Sequence, residues 1–258
     1  MMNSCSDLMR MIKSAEGMTR MVQLYGSREG EVARQMERYM LLLKRHEDLF
    51  GTEKMPLLVS APGRTELCGN HTDHNNGRVL AAAVNLDTVA AVSPRDDLQI
   101  TLHSEGFTPI RVDLNNLSPV KEEQGTPASI IRGIAARMQE MGCMVRGFDG
   151  TATSNVLSGS GLSSSAAFEV LICAIFDALY NGMKVDPIER AKIAQYAENV
   201  YFGKPCGLMD QMASSVGGLV AIDFKAEPKV TPLQYDFSAR GYSLIVVNTG
   251  GSHDDLTE

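Results

Sequence analysis

The chain has 258 residues, enough to bury a real core in one large domain or two small ones, and its 44% hydrophobic and 21% charged residues are ordinary for a globular protein. A net charge of −7 excludes a nucleic-acid surface built from clustered Lys and Arg, while small anions remain possible because backbone N–H groups hold them whatever the global charge. The five cysteines are odd in number, widely spread and never paired as C-x-x-C, which points to free thiols in a reducing cytosol. Met1 to Ser14 interrupts its methionines with Asp7, Arg10 and Lys13, unlike the apolar core of a signal peptide. No stretch is expected to be long and apolar enough to span a membrane, so the expected location is the cytoplasm, with no membrane partner.

Taken in chain order, Val32, Met36, Tyr39, Met40 and Leu43 recur at spacings of three and four and predict an amphipathic helix from Arg28 to Phe50. Leu57 to Ala61 predicts a short strand that Pro62-Gly63 ends. Val79 to Val84, Thr88 to Ser93, Gln99 to His103 and Ile110 to Leu114 predict further strands of a mainly antiparallel sheet. Thr126-Pro127 opens a helix that Gly142 stops. Phe148 to Val156 is a strand leading into Gly159-Ser160-Gly161-Leu162-Ser163-Ser164-Ser165-Ala166-Ala167. Helices follow from Ser163 to about Tyr180, Pro187 to about Tyr201 and Leu208 to Ser215, then strands from Gly218 to Phe224 and Tyr242 to Val247. Strands, then helices, then strands make an α+β protein.

Three segments carry chemistry. The glycine-paired loop at Gly159 and Gly161 brings backbone close to a guest, and the serines fall where a first helical turn leaves its N–H groups unpaired, so the loop suits a polyphosphate. It has neither the Lys of a Walker A loop nor the third glycine of a Rossmann turn, and a plain Gly/Ser helix cap is the alternative. Between Ala61 and Gly77 the chain packs Arg64, Glu66, Asn70, His71, Asp73, His74 and Asn75, donors and acceptors suited to a polyhydroxylated ligand. Metal binding through His71, Asp73 and His74 is a rival reading, disfavoured by the lack of an H-E-x-x-H pattern or a second ligand cluster; a polar loop with an Asn76-Gly77 turn is another. In the third segment, a Gly/Pro turn separates Glu198 from Asp210 and could bring both carboxylates to one site. Phosphoryl transfer from a nucleotide asks for a phosphate cradle, an oxygen ligand for Mg²⁺, a carboxylate beside the attacking hydroxyl and a cation on the moving group. The glycine loop, Glu198 with one serine, Asp210 and Arg64 could supply these. Taken singly, Asp210 could equally cap a helix and Glu198 could face solvent.

Together the three segments resemble the GHMP kinase family and, within it, the galactokinases. The first resembles the signature G-R-x-N-L-I-G-E-H-T-D-Y-N-x-G, through Gly63, Arg64, Leu67, Gly69, His71, Thr72, Asp73, Asn75 and Gly77; the second resembles the nucleotide loop P-x-G-x-G-L-S-S-S-A; the third, Cys206 to Gln211, is similar to C-G-I-M-D-Q. The resemblance implies the family's N-terminal domain, of the ribosomal protein S5 domain 2-like type, over 28–241. It also implies an N-terminal extension over 1–27 and, at 242–258, the start of a ferredoxin-like second domain that is largely absent, so that the chain alone is expected to turn over little or nothing. It implies ATP-dependent phosphorylation of galactose. Asp210 and Arg64 are then catalytic, and Asn70, His71, Asp73 and Gly207 bind sugar. Gly159, Gly161, Leu162, Ser163, Ser164, Ser165 and Ala166 bind ATP, and Ser164 with Glu198 binds Mg²⁺, although which serine of the trio does so is open. The partners implied are a small sugar and the second domain. Four departures stand out: Asn70 replaces a usual Glu, His74 a usual Tyr, Glu66 a usual Asn, and Leu157 the proline that opens the nucleotide loop. A kinase for another small alcohol and a non-catalytic sugar sensor on the same fold are the competing readings.

Overall fold

The computed structural model describes residues 4–157, 159–235 and 237–247. Its elements are α1 (Cys5–Ile12), α2 (Ala15–Tyr25), α3 (Glu31–Phe50), β1 (Leu57–Cys68), β2 (Arg78–Pro94), β3 (Gln99–Ser104), β4 (Ile110–Asp113), α4 (Pro127–Glu140), β5 (Phe148–Ser154), α5 (Ser164–Phe176), α6 (Pro187–Tyr196), α7 (Met209–Val216), β6 (Leu219–Asp223) and β7 (Lys229–Leu233). A π-helical turn extends α5 through Asp177–Asn181, and another extends α6 through Ala197–Phe202. The architecture is α+β. The sheet runs β4-β3-β5-β2-β6-β7 with β1 on the other side of β2, and every pairing is antiparallel except β3 with β5.

The run Val89-Ala90-Ala91-Val92 explains the layering. Successive strand side chains point to opposite faces. Ala90 and Val92 join Ile131, Ile134, Ile172 and Phe176 in a core beneath α4, α5 and α6, while Val89 and Ala91 join Cys5, Ile12, Met21, Tyr25 and Leu43 beneath α1, α2 and α3. A strand covered on both faces has no polar alternate positions, hence the unbroken apolar run. Asp87 ties the second helical layer to the sheet: Arg38 donates to its Oδ1 at 2.6 Å and to its backbone oxygen at 2.9 Å, Tyr25 donates at 2.7 Å, and Ser60 also donates.

Several expectations need correcting. Pro62-Gly63 does not end β1; the register shifts there, from Pro62 opposite Asp87 to Arg64 opposite Ala83, and the strand continues. The glycine is needed because a Cβ would lie 2.8 Å from the Leu162 carbonyl oxygen, where the glycine loop crosses the strand and accepts from Arg64 N at 3.0 Å. The two strands expected between Val79 and Ser93 are one 17-residue strand, which pairs with β6 at one end and β5 at the other. Lys229–Leu233 is a strand that the sequence reading missed, and among the described residues Tyr242 to Val247 forms none. An apolar run becomes a strand only against a partner edge, and no described strand pairs with it. One helical span, Ser164–Asn181, is in fact long and apolar enough to cross a membrane; here it is the central core helix, and residues such as Leu171, Ile172, Ile175 and Phe176 are fully buried.

Candidate active site

The three chemical segments meet at the N-terminal ends of α5 and α7. Arg64 projects from β1 just past the register shift and is only 8% exposed. Its Nε and Nη2 each donate at 2.7 Å to the two carboxylate oxygens of Asp210, the second residue of α7, and its Nη1 donates to the Gly161 carbonyl at 2.6 Å. This fork fixes the carboxylate's plane as well as its position. Ser163 also donates its hydroxyl to Asp210. Burial alone would raise the Asp210 carboxyl, but hydrogen bonds from His71, Arg64 and Ser163 outweigh it and hold the group far below the usual carboxylate range.

His71 bridges the other half of the site, with Nε2 3.3 Å from Asp210 and Nδ1 3.0 Å from Asp73. Hydrogen bonds to Asp210 and then Asp73 raise the imidazole to about 10, so it is a cation between two anions. Its backbone N–H donates to both oxygens of Glu66 at 2.9 and 3.0 Å, which offsets the left-handed φ of 52° at His71. Asp73 is buried, which would raise it, yet His71 and the backbone N–H groups of Met209 and Leu208 bring it down to about 2. Those N–H groups donate to Asp73 Oδ2 at 3.0 and 2.8 Å, so a residue 135 positions away in sequence caps α7. The close approach leaves no room for a side chain at Gly207, whose Cβ would lie 2.6 Å from Asp73 Cγ. Asn70 is different: it sits exposed on the rim with φ of 56° and, among the described residues, is not tied into this network.

The glycine loop is built on left-handed backbone. Gly159, Gly161 and Ser163 all have positive φ, at 68°, 73° and 56°. Successive residues of this kind turn their N–H groups into one concavity. No side chain caps α5, because the Ser163 hydroxyl is turned to Asp210 instead. The first-turn N–H groups around Ser164, Ser165 and Ala166 are therefore left without a side-chain cap, and such a donor set fits a nucleotide's phosphates. Leu162 and Ala166 are buried at 5% and 0%, so only their backbones are available to a ligand.

Glu198 is buried, not solvated. Gln211 Nε2 donates to Glu198 at 2.9 Å and to Glu169 at 3.0 Å, so the turn does bring the Glu198 and Asp210 segments together. Burial, and then repulsion from Glu198, pushes the Glu169 carboxyl well above the usual range. Gln211 Oε1 is buried without a partner. The Glu198 and Glu169 carboxyls that meet at the Gln211 amide are oxygen donors, the kind that fits a hard divalent cation. Sequence reasoning missed Glu169 and gave Gln211 no role, although Glu169 is the lone charge in the apolar helix Ser164–Phe176, a signal that could have found it.

Comparison with known proteins places the chain in a family. The family model for the galactokinase galactose-binding signature matches residues 44–94, and that for the GHMP kinase N-terminal domain matches residues 129–218. Galactokinase of Streptomyces coelicolor is 36% identical over 215 residues, 81% of this chain and 54% of that protein. Galactokinase of Bacillus subtilis is 32% identical over 211 residues, 78% of this chain and 52% of that protein. The chain thus spans about half the length of the curated relatives it matches. Among solved structures, Lactococcus lactis galactokinase complexed with galactose superposes with a TM-score of 0.67 at 27% identity, covering 75% of this chain and 51% of that one. Methanococcus jannaschii mevalonate kinase shares the fold, with a TM-score of 0.59 at 16% identity over 71% of this chain and 57% of that one. The chain belongs to the GHMP kinase family. Within that family, its galactose-binding signature and the sequence relatives described above are those of galactokinases.

Proposed function

We propose that the intact protein transfers the γ-phosphoryl group of ATP to the anomeric hydroxyl of galactose. The observation that carries the proposal is the Arg64–Asp210 fork, which joins the sugar-signature strand to α7 beside the uncapped N-terminus of α5. In the reaction the bond from the anomeric oxygen to Pγ forms, the bond from Pγ to the bridging oxygen breaks, and ADP leaves with its electrons.

Asp210 accepts a hydrogen bond from the anomeric hydroxyl and aims it. A carboxylate stabilised this strongly by Arg64, His71 and Ser163 is a weak base, so its larger contribution is position, with the proton leaving late. Arg64 meets the charge on the moving phosphoryl group. Asp73 and His71 take sugar hydroxyls, Gly207 leaves room beside Asp73, and Asn70 offers a neutral amide from the rim. Gly159, Gly161, Ser163, Ser164 and Ser165, with the backbones of Leu162 and Ala166, hold the phosphates. Glu198 and Ser164 would hold Mg²⁺, which when bound neutralises phosphate charge. We place the protein in the cytoplasm, where its free thiols stay reduced.

The test is product formation from ATP and Mg²⁺ across galactose, glucose, mannose and mevalonate, with Asp210→Asn as control. Galactose 1-phosphate that disappears in the control supports the proposal. Turnover of another alcohol with none of galactose, or unchanged turnover in the control, overturns it.

A further inference from the structure

His71, Asp73 and His74 form a cluster whose ligand atoms lie within 4.8 Å of one another. We propose that it is a site for a borderline transition-metal dication such as Zn²⁺, bound by the two imidazoles and the Asp73 carboxylate. The sequence alone weighed against this reading for lack of a helical zinc pattern; the distances and the second shell favour it.

Asp73 Oδ1 lies 3.0 Å from His71 Nδ1 and 3.5 Å from His74 Nδ1. Zinc bonds of about 2.0–2.1 Å in tetrahedral geometry put neighbouring ligand atoms about 3.3 Å apart, between those two values, and with the whole triad inside 4.8 Å the exposed His74 ring has only a short way to move to complete the set. The supporting shell is also in place. Asp73 Oδ2 is anchored by the N–H groups of Leu208 and Met209, which leaves Oδ1 aimed at the histidines from a side chain only 1% exposed. His71 Nε2 faces Asp210 at 3.3 Å, so a metal on Nδ1 would complete a carboxylate–histidine–metal relay. Both imidazoles are open to solvent, at 48% and 61% side-chain exposure, which gives the ion an entry path. Two nitrogens and one carboxylate suit Zn²⁺ or Co²⁺ rather than Mg²⁺, which prefers oxygen. The metal replaces the proton on His71 Nδ1, which goes to solvent. Because His74 stands where the galactokinase signature has tyrosine, the third ligand is a feature of this chain.

Metal binding stands on geometry alone. Its consequence rests on the reading of His71 and Asp73 as sugar ligands: a bound ion ties both down and competes with galactose. The experiment titrates the intact protein with Co²⁺ and follows its visible absorption, with Zn²⁺ as displacing ion, in wild type, His74→Tyr, His74→Ala and Cys68→Ser. The expected result is an intense tetrahedral band without thiolate charge transfer, bleached by Zn²⁺, weakened about tenfold or more in both His74 variants and unchanged in Cys68→Ser. Galactose weakens Co²⁺ binding, and Zn²⁺ inhibits wild type more than His74→Tyr. No tetrahedral band at millimolar Co²⁺, binding that survives loss of His74 in a folded variant, or binding that depends on Cys68 overturns the proposal. A band lost with His74 but indifferent to galactose supports the metal site and overturns the sugar reading.

Discussion

Gly207→Ala adds one methyl group to the loop before α7, and its effect follows from distances. The new Cβ would lie 2.6 Å from Asp73 Cγ, against 3.4 Å or more for ordinary contact, so the carboxylate must retreat by at least 0.8 Å. Its bonds from Leu208 N and Met209 N, now 2.8 and 3.0 Å, then stretch to about 3.6 Å and beyond, past the useful range. Each is a hydrogen bond to a charged group, of about 1.5–3 kcal/mol, and a side chain only 1% exposed finds no water in exchange. The sum is a loss of about 3–6 kcal/mol, or on the order of 10 °C in Tm for a chain of this size. The matched control is Gly217→Ala at the other end of α7, where φ is 76° and nothing lies within 4 Å of the added Cβ; only left-handed strain of about 1–2 kcal/mol applies. Scanning fluorimetry on both variants, with galactose titrated into each, separates the two costs. Gly207→Ala should melt well below Gly217→Ala and lose most of its galactose stabilisation. Equal melting temperatures would refute the view that Asp73 is held by the α7 N-terminus, and unchanged galactose stabilisation would refute its place in the sugar site.

Other outcomes follow from the same geometry. His71 is raised to about 10, so its contribution to stability is complete below the unfolded value near 6.5 and is lost as pH rises through about 10; wild type should lose more Tm between pH 7 and 10.5 than His71→Gln, and parallel losses would contradict the bridge. Glu169 is also raised above its unfolded value, so it costs stability as pH climbs past about 4.5. Glu169→Gln should match wild type near pH 4 and melt higher at pH 8, and a uniform drop at both pH values would count against the buried pair with Glu198. Cys68 is exposed within the sugar-signature segment, so a maleimide should label it and inhibit, with galactose slowing both; equal rates with and without galactose would remove it from the site. Asp87→Ala strands Arg38, whose side chain is only 11% exposed, and should cost about 3–5 kcal/mol in urea unfolding; a loss under 1 kcal/mol would show that the hub is not essential.

The candidate site was far more legible in the sequence than the sheet around it. Gly159, Gly161 and the polar crowding from Arg64 to Asn75 stand out because paired glycines and dense polar groups are not what a core is built from. By contrast, Pro62-Gly63 resembles a strand end, and only the crossing Leu162 carbonyl shows why a glycine sits mid-strand. Asn85-Leu86-Asp87 resembles a break in β2, yet Asp87 is buried there at 4% because Arg38 and Tyr25 arrive from helices far away in sequence. Glu169 and Asp73 show the same limit: a buried charge is intelligible only once its partners are known, and those partners are tertiary. Local pattern carries periodicity and turns; it carries no information on which carboxylate will cap which helix.

The most direct test of the central claim is the ³¹P NMR spectrum of the intact protein turning over ATP, Mg²⁺ and D-galactose, with Arg64→Lys and Asp210→Asn alongside. The account predicts a phosphate signal coupled to the anomeric proton of galactose in wild type and its near-complete loss in both variants, whose folds remain intact by circular dichroism. A signal coupled to any other sugar proton, free phosphate alone, or full product from Asp210→Asn would contradict it.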